Sequence, residues 1–231
     1  MEDFIFSSRV KITSGDALDE YAIWPHNIDI CITRVPIRKR DGYDASMLKR
    51  LTSKIYESMA NGGIVFLICY APTEDKARPF EVARAMQDQG FNHIDNIIVE
   101  RSWLPGKRSE SNLVNSHDYV LFFCKGKVWG VDRLPIKEYL KLDEEISCPG
   151  NTWKVETGSL DEAYPIDLAK LLVRLADSLP GSTVFDPFMG TQSGVLAAVE
   201  CGHSFIGYES DNRRLKRYKK ILNKMYDEGK I

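Results

Sequence analysis

Residues 182–211 read STVFDPFMGTQSGVLAAVECGHSFIGYESD, and the order of parts within them decides the fold. An apolar run ends at Phe185, an acid follows at Asp186, glycines at 190 and 194 open a turn, small residues continue with helical spacing, and a second apolar run closes on Glu209. In open α/β sheets, ligands sit just outside the carboxyl ends of the strands. Two acids at the tips of successive strands therefore mark one ligand edge. An acid about twenty residues past a glycine turn is placed to accept hydrogen bonds from ribose hydroxyls, and Glu209 holds that position. A dinucleotide site needs GxGxxG, which lets backbone amides approach a pyrophosphate. Here Gly190 and Gly194 are four residues apart, Gln192 stands where the second glycine would fall, and Asp186 would repel a phosphate. A carboxylate ahead of the turn suits a cofactor with a cationic amino group and no phosphate, a description that S-adenosyl-L-methionine meets. A strand, a glycine turn and a helix are also ordinary α/β construction. The two strand-tip acids favour the cofactor.

Outward from this stretch, apolar runs at residues 28–33, 63–70, 96–100, 119–125, 183–187 and 204–209 predict strands, several apolar at every position. Helical spacing predicts helices over residues 46–59, 79–89, 166–178, 194–201 and 212–225. The alternation argues an α/β fold, a mostly parallel sheet with helices on both faces. With 231 residues, 43% of them hydrophobic, the chain suits one domain spanning 1–231. Residues 126–162 break the rhythm with prolines, glycines and scattered charge, and read as a small excursion from the sheet. Residues 104–118, LPGKRSESNLVNSHD, have the composition of a polar loop.

The formal charge of -2 excludes a protein that coats nucleic acid by net charge alone, so any such contact comes from local patches. The five cysteines form no CxxC pair, and Cys31, Cys69, Cys124 and Cys201 lie in apolar runs, which points to a reducing compartment. The four histidines have no zinc-ligand spacing, so no metal is expected. No apolar run approaches the length of a membrane span. The expectation is a soluble cytoplasmic or nucleoid-associated protein.

VFDPFMGTQSGVLAAVECGHSFIGYE resembles the cofactor motif of the DNA amino methyltransferases, roughly DPFxGSGTTxxAAxxxGxxxIGxE. GDALDEY followed by IDICITRVPI resembles the entry of that family: a GD turn, a strand and the catalytic tetrapeptide [DNS]PP[YFW]. AYPIDLAKLLVRLADSLPGSTVFDPF is similar to the helix that precedes the cofactor strand, and SHDYVLFFCK to the strand written HExxxxFxK. The resemblance implies a Rossmann-like methyltransferase fold in the circularly permuted β order, catalytic half before cofactor half. It further implies S-adenosyl-L-methionine held by Asp186, Phe188, Gly190, Thr191 and Glu209, with Asp16, Tyr164 and Pro165 beside them.

In that family the strand after the GD turn ends in the tetrapeptide because the target base is swung out of the duplex into a pocket beside the cofactor. The first side chain and the following carbonyl accept hydrogens from the exocyclic amino group, and the aromatic fourth residue stacks on the base. Here the four positions are Arg34, Val35, Pro36 and Ile37, and only Pro36 matches. Arginine has five donors and no acceptor, and its charge opposes the positive charge that develops on the attacked nitrogen. Ile37 has no π face. Three readings compete: a divergent active methyltransferase in which backbone carbonyls accept and a ring such as Tyr43 stacks, a catalytically inactive subunit that binds nucleic acid or an active partner, and an enzyme on another substrate.

Arg38, Lys39 and Arg40 follow the tetrapeptide position, and Lys107 and Arg108 lie in the polar loop. These two clusters are candidates for phosphate contacts with DNA, either a duplex with a flipped base or a single strand. The basic run NRRLKRYKK reads as the wet face of a helix with Leu215, Tyr218 and Leu222 inward. Residues 126–162 are the only room for a target-recognition region, which implies relaxed specificity or help from a partner chain, in a homodimer or a heteromer with another methyltransferase subunit. Trp129 and Trp153 either stack on bases or cover the sheet. His117 either touches the pocket or caps its strand.

Overall fold

The computed structural model describes residues 1–36, 44–69, 76–100, 116–127, 130–146, 148–155, 164–176 and 181–229. The chain runs β1 (Glu2–Ser7), β2 (Val10–Ser14), β3 (Ile28–Arg34), α1 (Ala45–Ser58), β4 (Met59–Cys69), α2 (Arg78–Gln89), β5 (Phe91–Glu100), β6 (His117–Lys125), α3 (Leu134–Tyr139), β7 (Thr152–Lys154), α4 (Ile166–Leu175), β8 (Thr183–Asp186), α5 (Ser193–Glu200), β9 (Ser204–Glu209) and α6 (Asn212–Asp227).

Among the described residues the strands form one sheet in the order β1-β2-β9-β8-β3-β4-β6-β5-β7. Five of its eight pairings are parallel; β1 with β2, β4 with β6 and β5 with β6 are antiparallel. The central strands are apolar throughout because both faces are covered, and alternate residues serve different layers. Ile30, Ile32, Ile64 and Phe66 share a core with Leu168 and Leu172 of α4, Val195 of α5 and Leu215 of α6. Cys31, Val65 and Leu67 face the other way, against Leu51 and Ile55 of α1 and Val82 and Met86 of α2. Each such side chain contributes about 1.5 to 3 kcal/mol by leaving water. Helix boundaries follow local chemistry: Asp44 caps α1 by accepting from the Met47 amide at 2.7 Å, and Gly90 ends α2 at φ 108°.

The crossovers place the site. From β3 the chain proceeds to β4 on one side, and from β8 to β9 on the other. The crevice between β3 and β8, which pair directly, is thus the topological switch point where an open sheet leaves room for a ligand. It lies at the carboxyl ends, where Arg34 and Asp186 stand.

Two parts of the architecture differ from the sequence reading. The N-terminal residues form a hairpin, β1 and β2, whose second strand pairs with β9; strands this short carry too few apolar residues for a clear period. The segment expected as an excursion from the sheet returns to it. Helix α3 buries Ile136, and β7 adds a strand to β5 with Val99 beside Trp153. The reason is apolar burial: Trp153 is 3% exposed and Val155 1%. Trp153 therefore covers the sheet, donating its indole N–H to the Gly150 carbonyl at 2.9 Å. Trp129 lies outside the described residues. The C-terminal helix turns Leu215, Tyr218 and Leu222 inward as its pattern predicts. Among the described residues no helix is long and apolar enough to cross a membrane.

If β7 is part of the core, Trp153→Ala should lower the unfolding free energy by about 3 kcal/mol, read from the midpoint and slope of a urea titration.

Candidate functional site

Asp186, the last residue of β8, is fully buried at 0% exposure. Its Oδ1 accepts from Thr33 Oγ1 at 2.6 Å and from the Phe188 amide at 2.9 Å, and its Oδ2 accepts from the Tyr164 hydroxyl at 2.7 Å. Burial raises its pKa to about 6 against these hydrogen bonds, which lower it, and the nearby Glu209 carboxylate adds to the rise. Tyr164 is itself buried, and burial together with the adjacent Asp186 pushes its hydroxyl well above the ordinary tyrosine range. Pro165 caps α4 in extended conformation and so turns the chain from Tyr164 into the helix.

The glycine turn after β8 is held to its neighbours. The Met189 amide donates to the Tyr208 carbonyl at 3.1 Å, Gly190 adopts φ 53°, and Thr191 and Ser193 exchange a hydroxyl bond at 3.1 Å. Gln192 occupies the cap of α5 without a side-chain hydrogen bond to the helix. Gly194, which sequence alone left as half of an incomplete nucleotide motif, has a packing reason. A Cβ there would stand 2.7 Å from the Tyr164 hydroxyl and 3.4 Å from Asp186 Oδ2. The glycine leaves space for the Tyr164–Asp186 bond.

Glu209 ends β9, one strand over, with 5% exposure. Its Oε1 accepts from the Asp211 amide at 2.8 Å, whereas its Oε2 has only looser contacts, Tyr218 OH at 3.3 Å and Arg214 at 3.9 Å. The single Tyr218 hydroxyl hydrogen has a nearer acceptor in the Gly190 carbonyl at 2.9 Å. Oε2 thus retains the capacity to accept from a ligand hydroxyl. Beside it, Gly15 at the end of β2 donates to the Glu209 carbonyl at 3.0 Å, and Asp16 Oδ1 accepts from the Leu18 amide at 2.8 Å.

The structure therefore brings Asp16, Tyr164, Pro165, Asp186, Phe188, Gly190, Thr191 and Glu209 to one edge of the sheet, at the tips of β2, β9 and β8. Two acids and a turn without a phosphate cradle suit a neutral or cationic adenosyl ligand. The Asp186 carboxylate is enclosed by protein donors, with both oxygens already accepting. Thr33 and Tyr218 are the site residues that sequence reading missed. A hydroxyl closing an apolar strand was the signal for Thr33, and Tyr218 was assigned only to the core. Among the described residues no cluster of three or more His, Cys, Asp or Glu could hold a metal.

Arg34 closes β3 in register with Ile68, Val35 is 2% exposed and its amide continues the ladder to the Ile68 carbonyl at 3.2 Å, and Pro36 follows, partly buried. Ile37, Arg38, Lys39, Arg40, Tyr43, Lys107 and Arg108 lie outside the described residues. His117 begins β6 at the same edge, its ring against Tyr119 at 4.9 Å.

A family model described as DNA methylase matches residues 38–220. Type II methyltransferase M.SmaI of Serratia marcescens is 29% identical over 138 residues, 57% of this chain and 46% of its own length. The chain thus spans about half the length of that relative. Orphan methyltransferase M.BamHII of Bacillus amyloliquefaciens is 24% identical over 253 aligned positions, covering 87% of this chain and 94% of the relative. Among solved structures, the M1.HpyAVI–SAM complex matches with a TM-score of 0.64 at 17% identity, over 85% of this chain and 89% of that one, which shows a shared fold.

Gly194→Ala should displace Tyr164 and lower stability by about 1 to 3 kcal/mol, with Tyr164→Phe restoring part of the loss in the double variant, as measured by urea unfolding. Asp186 carries a second expectation. Its folded pKa of about 6 lies above the ordinary 3.8, so its favourable contribution is complete below 3.8 and is lost as pH rises through about 6. Unfolding titrations across that window should show wild type losing roughly 3 kcal/mol relative to Asp186→Asn.

Proposed function

This chain belongs to the DNA methylase family, and from that membership we propose an S-adenosyl-L-methionine-dependent methyltransferase acting on the exocyclic amino group of adenine or cytosine in DNA. The observation that carries the reading is the pair of buried acids, Asp186 and Glu209, at the adjacent tips of β8 and β9 beside a turn without GxGxxG spacing. The names of M.SmaI and M.BamHII support methyl transfer, and the M1.HpyAVI–SAM complex supports the cofactor.

S-adenosyl-L-methionine supplies an electrophilic methyl group on a sulfonium centre. Glu209 accepts the ribose hydroxyls through Oε2, while Tyr218 holds the Gly190 carbonyl. Asp186, fixed by Thr33 and Tyr164, sets the negative potential that favours the cationic amino end. Phe188, Gly190, Thr191, Asp16 and Pro165 shape the walls. The target base, out of the stack, meets the end of β3 at Arg34, Val35, Pro36 and Ile37. The backbone carbonyls of Arg34 and Val35 accept the amino hydrogens, since the Arg34 side chain offers donors only. Arg38, Lys39, Arg40, Lys107 and Arg108 neutralise phosphates. The half containing β3 precedes the half containing β8, which supports placement in the circularly permuted β class. The shortness of residues 126–162 favours relaxed specificity, or recognition supplied by a second subunit.

Arg34 also favours a second reading, a catalytically inactive subunit that binds nucleic acid or an active methyltransferase partner, because a fixed positive charge opposes the charge developing on the attacked nitrogen. Calorimetric titration with S-adenosyl-L-methionine and S-adenosylhomocysteine, paired with labelled-methyl transfer to duplex and single-stranded DNA, separates the two. Binding that weakens on the order of tenfold or more in Glu209→Ala, with transfer to DNA, supports the enzyme. Binding without transfer supports the inactive subunit, and no binding of either ligand overturns the cofactor assignment.

A further inference from the structure

Three aromatic side chains outside the carboxylate site gather at the same edge of the sheet. His117 and Tyr119 stand two apart at the start of β6, hence on one face, with ring centroids 4.9 Å apart at 78°. Phe80, in the first turn of α2, meets Tyr119 edge-on at 6.0 Å and 62°. Asp118, between the two strand residues, belongs to the opposite face by the same alternation. Because β6 runs antiparallel to β4 and Tyr119 pairs with Cys69, the last residue of β4, β6 begins where β3 and β4 end. The rings therefore border the tip of β3, two strand spacings away, ~10 Å.

Core packing explains only part of this group. Val82 and Met86 of the same helix are 0% exposed, yet Phe80 is 62% exposed. A single exposed apolar residue needs no explanation. Here the exposed ring extends a row of three at the edge where the ligand-facing strands end. Arg34 at the tip of β3 and the exposed Lys76, two residues before α2, bring positive charge to the same edge.

We propose that Phe80, Tyr119 and His117 form a stacking platform for an unpaired nucleobase next to the one presented at the end of β3. The inference rests on the DNA reading above and adds a site to it. The ~10 Å between the two strand tips is about three nucleotide rises of ~3.4 Å, so a base within about three positions of the target can reach the rings. Stacking tolerates any base because every base has a π face, so the platform grips the strand without reading its sequence.

Fluorescence anisotropy of labelled single-stranded oligonucleotides in the presence of S-adenosylhomocysteine tests this, comparing wild type, Phe80→Ala and Phe80→Trp on intact strands and on strands with one abasic position. Phe80→Ala should weaken binding to intact strands on the order of tenfold. Phe80→Trp should bind like wild type, with its indole emission quenched by DNA. At one position along the strand an abasic site should weaken wild type and erase the difference from Phe80→Ala. Wild-type binding that Phe80→Ala leaves unchanged overturns the platform alone, as does a loss that persists whichever position is abasic. A wild-type dimer that Phe80→Ala dissociates with DNA binding intact, seen by sedimentation, assigns the rings to a second copy and also overturns it. Absence of DNA binding by wild type overturns both the platform and the DNA reading.

Discussion

The buried carboxylate of Asp186 is the constraint around which the site is built. An ionised group out of water costs several kcal/mol unless it is hydrogen-bonded. Its donors arrive from three places: Thr33 on β3, Tyr164 ahead of α4 and the backbone of its own turn. That one residue therefore ties the half of the fold containing β3 to the half containing β8, and it does so at the switch point where the sheet opens. Gly194 has no side chain because the Tyr164 hydroxyl needs that space. The neighbouring Glu209 charge adds repulsion, and Tyr218 ties the glycine turn to the C-terminal helix through the Gly190 carbonyl.

The two acids are placed differently and so act differently. Asp186 is saturated by protein donors. Glu209 keeps one oxygen lightly held, which suits it to a ligand that brings its own hydroxyls. The opposite wall of the crevice carries Arg34, a donor where the resembling family has an acceptor. The acids at the tips of β8 and β9 and the residue at the tip of β3 are thus separate features of one edge.

Much of the fold was legible because its decisive strands include runs from Ile64 and Val120 that are apolar at every position, bounded by turn signals, as in a sheet covered on both faces. The strand-tip acids were legible for the same reason, since an acid ending such a run has few other uses. The N-terminal hairpin and β7 were not. A three-residue strand such as Thr152–Lys154 has no period to read, and its place at the edge is set by one Trp packing on distant residues. Thr33 and Tyr218 were missed because their roles depend on partners 153 and 28 residues away. The donors around Asp186 were hidden on similar grounds: a sequence shows an acid at a strand tip but not the groups that enclose it.

The order of the halves bears on how the protein is made. Strand β3 sits mid-sheet, with β4 following after one helix, but its other neighbour β8 emerges some 150 residues later, as the Thr33–Asp186 separation of 153 records. During synthesis β3 therefore offers a bare backbone rim until β8 has also left the ribosome. Loop-closure entropy delays that pairing further, and unpaired rims invite adhesion to other chains. Late pairing is the physical cost of drawing the two sides of one crevice from segments some 150 residues apart.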